Sequence, residues 1–230
     1  MKKTAIALVV AGLAAASVAQ AAPQENTFYA GAKVGQASFH DGIKDNLGSY
    51  HRNSVTYGVF GGYQILNRDN LGLAVELGYD DFGRVKGRVK GRDLGKTDFK
   101  HTNHGAHLSL KGSYNLGGLT SALEGLDVYG RAGVALVRSD YKFYDVTNGG
   151  ARVHADGRHS LRTSGMFAAG VEYALPSLPE LALRLEYQWL TRVGKLRTED
   201  RPNSSVDYNP WIGSINAGLS YRLLHHRICS

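Results

Sequence analysis

One cysteine, five prolines and two methionines in 230 residues leave few of the usual devices for fixing a fold. The lone Cys229 excludes an internal disulfide, so whatever core this chain builds must hold without one. Long apolar runs are also missing. After the first 21 residues no stretch approaches the roughly 18 apolar residues that a membrane helix requires. With helical spans and disulfides set aside, period, charge and glycine remain to be read.

The exception at the start is MKKTAIALVVAGLAAASVAQAA. Lys2 and Lys3 make a basic n-region, Ala5 to Val18 an apolar h-region, and Ala19-Gln20-Ala21 a small-residue cleavage site. Residues 1–21 are therefore expected to be a cleaved secretory signal, residues 22–223 the folded domain, and 224–230 a short tail. Removing the signal takes away two lysines and no acids, lowering the formal charge from +7 to +5. A basic surface suits nucleic acid or anionic lipid. Export makes nucleic acid the poorer partner.

What the mature chain has is alternation with period two, the pattern of strands. It is clear in TFYAGAKVG (27–35), VTYGVFGGYQI (55–65), LAVELGYD (73–80) and AHLSLKGSY (106–114). It continues in LDVYGRAGVALVR (126–138), SGMFAAGVEYAL (164–175), LALRLEYQWL (181–190) and SINAGLSYRL (214–223). Eight strands result, each of about the length that crosses a bilayer when tilted. One face carries Val, Leu, Ile, Phe and Tyr. The other carries Lys33, Glu76, Lys111, Arg131, Glu172, Arg184 and Glu186 among Gly, Ala, Ser and Asn.

A soluble sandwich would bury the apolar face and wet the charged one. Two features favour the reverse. The charged face is rich in glycine (Gly31, Gly35, Gly58, Gly62, Gly72, Gly78, Gly170, Gly218), which suits a crowded narrow interior. Aromatics on the apolar face also gather at strand ends, with Phe28, Tyr63, Tyr114, Tyr173 and Tyr221 at one and Tyr57, Tyr79, Trp189 and Trp211 at the other. Two such girdles flank the apolar band of a lipid-facing barrel. Connections after strands two, four and six are short to moderate (67–70, 115–125, 176–180). Those after one, three, five and seven are long, at roughly 39–53, 83–103, 139–162 and 192–210. The expected fold is all-β, an eight-stranded antiparallel transmembrane up-and-down β-barrel with periplasmic termini in a cell outer membrane.

The stretches MKKTAIA, VAQAAP, GAKVG, FGGYQ, ELGYD, GVEYA, RLEYQW and SYR occur in that order along the chain. Together they resemble the N-terminal transmembrane domain of OmpA. The resemblance implies an outer-membrane barrel with a structural role and a plugged or weakly conducting, porin-like lumen, in which Glu76 pairs with Lys111 or Arg184 to gate an ion path. OmpA proteins usually continue into a linker and a peptidoglycan-binding domain. Here the sequence given runs on only through LHHRICS, so peptidoglycan binding is not expected. Asn216-x-Gly218-x-x-Tyr221-x-Leu223 resembles the C-terminal signal read by the barrel-assembly machinery, with Leu in place of the usual aromatic.

Several motifs compete for chemistry. GRDLGKT (91–97) resembles a phosphate-binding loop, but Walker A has four residues between its glycines and here there are three, with Lys90 where the first glycine belongs. Its basic residues Arg84, Lys86, Arg88, Lys90, Arg92 and Lys96 suit lipopolysaccharide phosphates, or simply solvate a loop. Alternation in RVKGRVK also allows an extended hairpin above the membrane. His101, His104 and His107 have metal-like spacing, yet a strand sends 104 to the opposite face from 101 and 107. No metal or cofactor is expected. His107 and Ser109 share a face about 7 Å apart, beyond the reach of a nucleophile and its base. Asp80/Asp81 and Asp140/Asp145 read as solvated strand ends or turns. No enzyme is expected. The alternative to a structural role is surface recognition (adhesin, phage receptor or host-factor binding) through the long loops, whose Tyr141, Phe143 and Tyr144 suit contact. A monomer is expected.

Overall fold

A computed structural model describes residues 25–40, 53–90, 96–120, 125–146, 152–191 and 211–223, with 123 and 193. Side chains at 40, 85–90, 96–101, 141–146 and 152–159 lie outside that description. Eight antiparallel strands close into a barrel in chain order, the last pairing with the first. They are β1 (Thr27–His40), β2 (Asn53–Arg68), β3 (Leu71–Lys90), β4 (Lys96–Asn115), β5 (Leu126–Val146), β6 (Arg152–Leu175), β7 (Leu178–Leu190) and β8 (Trp211–Leu223). Closure removes both sheet edges, which is what allows backbone polar groups to cross hydrocarbon.

Alternation dictates which side chains enter. Along β7 every second residue from Glu180 to Leu190 is buried, while Leu183, Leu185, Tyr187 and Trp189 stand outside. Val34, Val59, Leu77, Leu108, Val134, Phe167 and Ile215 extend the same exposed apolar belt around the barrel. Its ends carry aromatic clusters. Phe28 lies 4.7 Å from Tyr63 on the short-turn side. Trp189 contacts Phe167 at 6.4 Å and Trp211 at 6.1 Å on the other.

The turn between β2 and β3 is two residues long, and both Asp69 (φ 49°) and Asn70 (φ 67°) take the left-handed conformation that such hairpins need. The connection from β6 to β7 is shorter than 176–180, because β7 already begins at Leu178. The larger correction concerns 83–103 and 139–162, expected as loops. Most of both segments is strand. β3 and β4 stay paired to Lys90↔Lys96, and β5 and β6 to Val146↔Arg152. These four strands have 20, 20, 21 and 24 residues against 13 or 14 in β1, β7 and β8, so two hairpins run well past the membrane band.

Inward glycines explain how so narrow a cylinder admits aromatic rings. A Cβ on Gly62 would lie 2.2 Å from Tyr29 Cζ, and one on Gly170 would lie 2.6 Å from the Tyr129 hydroxyl. Both rings therefore rest on bare backbone. Gly62→Val should overpack the lumen and destabilise the barrel by about 1–3 kcal/mol. Urea titration of the folded, heat-modifiable gel band checks this, and an unchanged midpoint contradicts the packing described.

Candidate functional site

The lumen holds a network of buried charges, most of them in ion pairs. Among the described residues, six carboxylates (Glu76, Asp80, Asp127, Glu172, Glu180, Glu186) and five bases (Lys33, Lys111, Arg131, Arg184, Arg222) are buried. All seven charged positions anticipated from the alternating pattern point inward.

At the centre two arginines bridge two glutamates. Arg131 on β5 donates through Nη1 to Glu76 Oε1 and through Nη2 to Glu186 Oε1 at 2.7 Å. Arg184 on β7 donates through Nη1 to Glu76 Oε2 at 2.9 Å, and its Nη2 lies 3.3 Å from Glu186 Oε2. Glu76 itself is fully buried. Tyrosines complete the ring. The Tyr29 hydroxyl donates to Glu76 Oε2 at 3.1 Å, and the Tyr129 hydroxyl donates to Glu186 Oε2 at 2.9 Å while accepting from Arg184 Nε at 2.6 Å. The Arg184 guanidinium also sits 4.5 Å from the Phe60 ring centroid and 4.6 Å from that of Tyr129. Arginine is fitted to this place because its planar fork serves two carboxylates and stacks on rings at once.

Lys111 is not a partner of Glu76. It pairs with Glu172 on the short-turn side, where Ser220 donates to Glu172 Oε1 at 3.1 Å and Arg222 Nη2 lies 3.6 Å away. Of the two pairings anticipated for Glu76, only that with Arg184 forms; Arg131 takes the other carboxylate oxygen. Lys111 and Arg131 are ladder partners on one rung, and the two cations divide the carboxylates between them, Lys111 taking Glu172 and Arg131 taking Glu76 and Glu186.

A further layer lies toward the long-loop end. Lys33 Nζ is 3.1 Å from Asp80 Oδ1, 3.4 Å from Glu186 Oε1 and 2.6 Å from Gln188 Oε1. Gln188 Nε2 donates to Asp80 Oδ2 at 2.9 Å. His107 Nε2 lies 3.5 Å from the same oxygen. Asp80, read as a solvated strand end, is buried instead; it is four residues past Glu76 and shares its inward parity. Asp81 keeps the edge position, accepting from Tyr57 and from the Gly83 amide. Arg222, Asp127, Glu180, Tyr29, Tyr129 and Phe60 were missed as lumen residues, although each follows from the parity of its strand.

His104 faces outward beside Tyr79, 6.1 Å between ring centroids, while His107 faces in; the side chain of His101 lies outside the description. Among the described residues no three His, Cys, Asp or Glu side chains are placed to hold a metal ion. Arg84 is exposed. Lys86, Arg88 and Lys90 fall on β3 and Lys96 on β4, with their side chains outside the description, and Arg92 lies outside the described residues altogether.

A closed barrel of eight strands with a charged lumen and a greasy exterior meets its family at this point. A family model for the OmpA-like transmembrane domain matches residues 23–226. The chain belongs to the OmpA-like transmembrane domain family. It is 74% identical over 227 residues to outer membrane protein P5 of Haemophilus influenzae, which covers 96% of this chain and 60% of that protein. It is 38% identical over 225 residues to outer membrane protein A of Shigella dysenteriae, covering 96% of this chain and 56% of the relative. The chain thus spans a little over half the length of these relatives. Membership places it in the outer membrane.

This OmpA-like barrel makes its ion pairs unequal. Arg131→Met leaves Glu76 and Glu186 each short of a cation in a closed interior, which should cost about 3–5 kcal/mol. Arg138→Met removes only the half-exposed Arg138–Asp140 pair and should cost about 1 kcal/mol or less. Equilibrium unfolding in lipid vesicles measures both, and equal losses contradict the assignment.

Proposed function

We propose that this barrel serves the outer membrane structurally and that its lumen is a plugged, weakly conducting path gated by the ion pairs of Glu76. The observation that carries the reading is the shared geometry at the centre. Glu76 is held by Arg131 and Arg184 together, and Arg184 already reaches Glu186 with its second nitrogen. If Arg184 releases Glu76 it stays paired with Glu186, so the obstruction can change without leaving a bare cation. A ring of charged side chains also selects which ions pass.

Planar-bilayer recordings of wild type and Glu76→Gln test this reading. Losing the negative charge frees both arginines from one partner, and unitary conductance or open fraction should change by about threefold or more. Identical traces from the two proteins remove the gate.

A second reading is favoured by the two overlong hairpins. They offer a stiff surface for recognition outside the membrane, and the basic run on the first suits the phosphates of lipopolysaccharide. Replacing Arg84, Lys86, Arg88, Lys90, Arg92 and Lys96 with Gln should reduce co-purified lipopolysaccharide; unchanged binding removes that partner. The Tyr221 and Leu223 end of β8 is read as the signal presented to the barrel-assembly machinery. No catalytic role, nucleic-acid partner or peptidoglycan contact is assigned to the barrel.

A further inference from the structure

The lumen is not polar throughout. Between the charged layers and the long-loop mouth the inward side chains turn apolar in the same order on four strands, while β2 and β4 contribute the buried polar Thr56 and Asn103. Toward the mouth, β1 reads Lys33, Gly35, Ala37, Phe39, and β3 reads Glu76, Gly78, Asp80, Phe82. β5 reads Arg131, Gly133, Ala135, Val137, and β7 reads Arg184, Glu186, Gln188, Leu190. Each passes from ion, through small or polar residues, to a hydrophobe.

Six strands supply one large apolar side chain each to a single cluster: Phe39, Phe82, Val137, Met166, Leu190 and Ile212. None is more than 5% exposed, although all stand near the end of the barrel that opens toward the exterior. Val193, just beyond β7, joins the same cluster and is itself buried. The Ser139 hydroxyl, 2.6 Å from Asn103 Oδ1, lies 3.5 Å from the Val193 carbonyl, which closes the polar gap left between the hydrophobes.

We propose that this cluster is a dry seal that closes the lumen to polar solutes from the cell exterior, in series with the ion pairs and independent of whether those pairs gate a current. A polar solute or hydrated ion entering from outside meets a layer whose large side chains are apolar and whose Ser139 and Asn103 are already hydrogen-bonded to each other, which leaves little to replace its hydration shell. Paired charges alone do not provide this barrier, because carboxylates and guanidinium groups can re-hydrate and exchange partners. The lumen is therefore closed by two devices of different chemistry, and opening the charged one leaves the apolar one shut.

The seal is tested by asking whether small polar reagents reach the layer beneath it. His107 pairs across the ladder with Ala135 of the cluster and is buried directly below. A His107→Cys reporter in a Cys229→Ser background, folded in lipid nanodiscs, is reacted with iodoacetamide. Adding Phe82→Ala and Leu190→Ala should accelerate alkylation by about tenfold or more, because only the mouth-side barrier changes while the periplasmic route stays the same. The near-isosteric Val137→Thr, which keeps the packing, should move the rate in the same direction, and heat-modifiable gel mobility confirms that each variant is folded. Equal rates with and without the seal substitutions overturn the proposal.

Discussion

The charged centre of this barrel follows from the rule that a charge inside a cylinder too narrow for bulk water must be met by another charge. Eight strands enclose a space that side chains fill. An unmatched ion there costs several kcal/mol, more than any single packing contact returns. Lys33, Arg131 and Arg184 are consequently never served by one partner alone, and Glu76 and Glu186 share theirs. The glycines that let Tyr29 and Tyr129 lie against the wall are part of the same solution, since those hydroxyls supply the hydrogen bonds that the carboxylates still need.

The outer face obeys the complementary rule. Backbone groups are consumed by the closed ladder, so side chains are free to be as apolar as lipid demands. Leu77, Leu108, Val134, Leu185 and Ile215 are about half exposed or more, which in water would be a large unpartnered patch but in hydrocarbon is ordinary contact. The two mouths differ. The short-turn end finishes in a tight turn at Asp69 and Asn70 and in ion pairs around Glu172, whereas the long-loop end carries tall hairpins above an apolar layer.

How much of this is legible in the sequence depends on the distance over which a residue acts. Alternation is a local property, so the number of strands, the lipid-facing belt and the seven principal lumen charges can be read directly. The same parity carries Asp80 inward, but two adjacent acids resemble a turn or a solvated strand end, and that local resemblance hides it. Pairing across the lumen is a different matter. Arg131 meets Glu76 from 55 residues away and Lys111 meets Glu172 from 61, separations fixed by register and strand tilt rather than by any spacing in the chain. The extended hairpins are intermediate. RVKGRVK shows the alternation, yet its charge and glycine content also fit a solvated loop, and only partner strands of matching length show that the ladder continues.

The most direct test of the inside-out arrangement uses the two tryptophans, Trp189 and Trp211, both on the outward face near one girdle. The protein is folded into vesicles whose lipids carry bromine on the upper acyl chain, and fluorescence quenching is compared with that by aqueous iodide. Strong quenching by the brominated chains and weak quenching by iodide is the result expected if lipid covers the apolar face. Strong quenching by iodide with none from the brominated lipid would put water there instead, and would contradict the buried charge network as well.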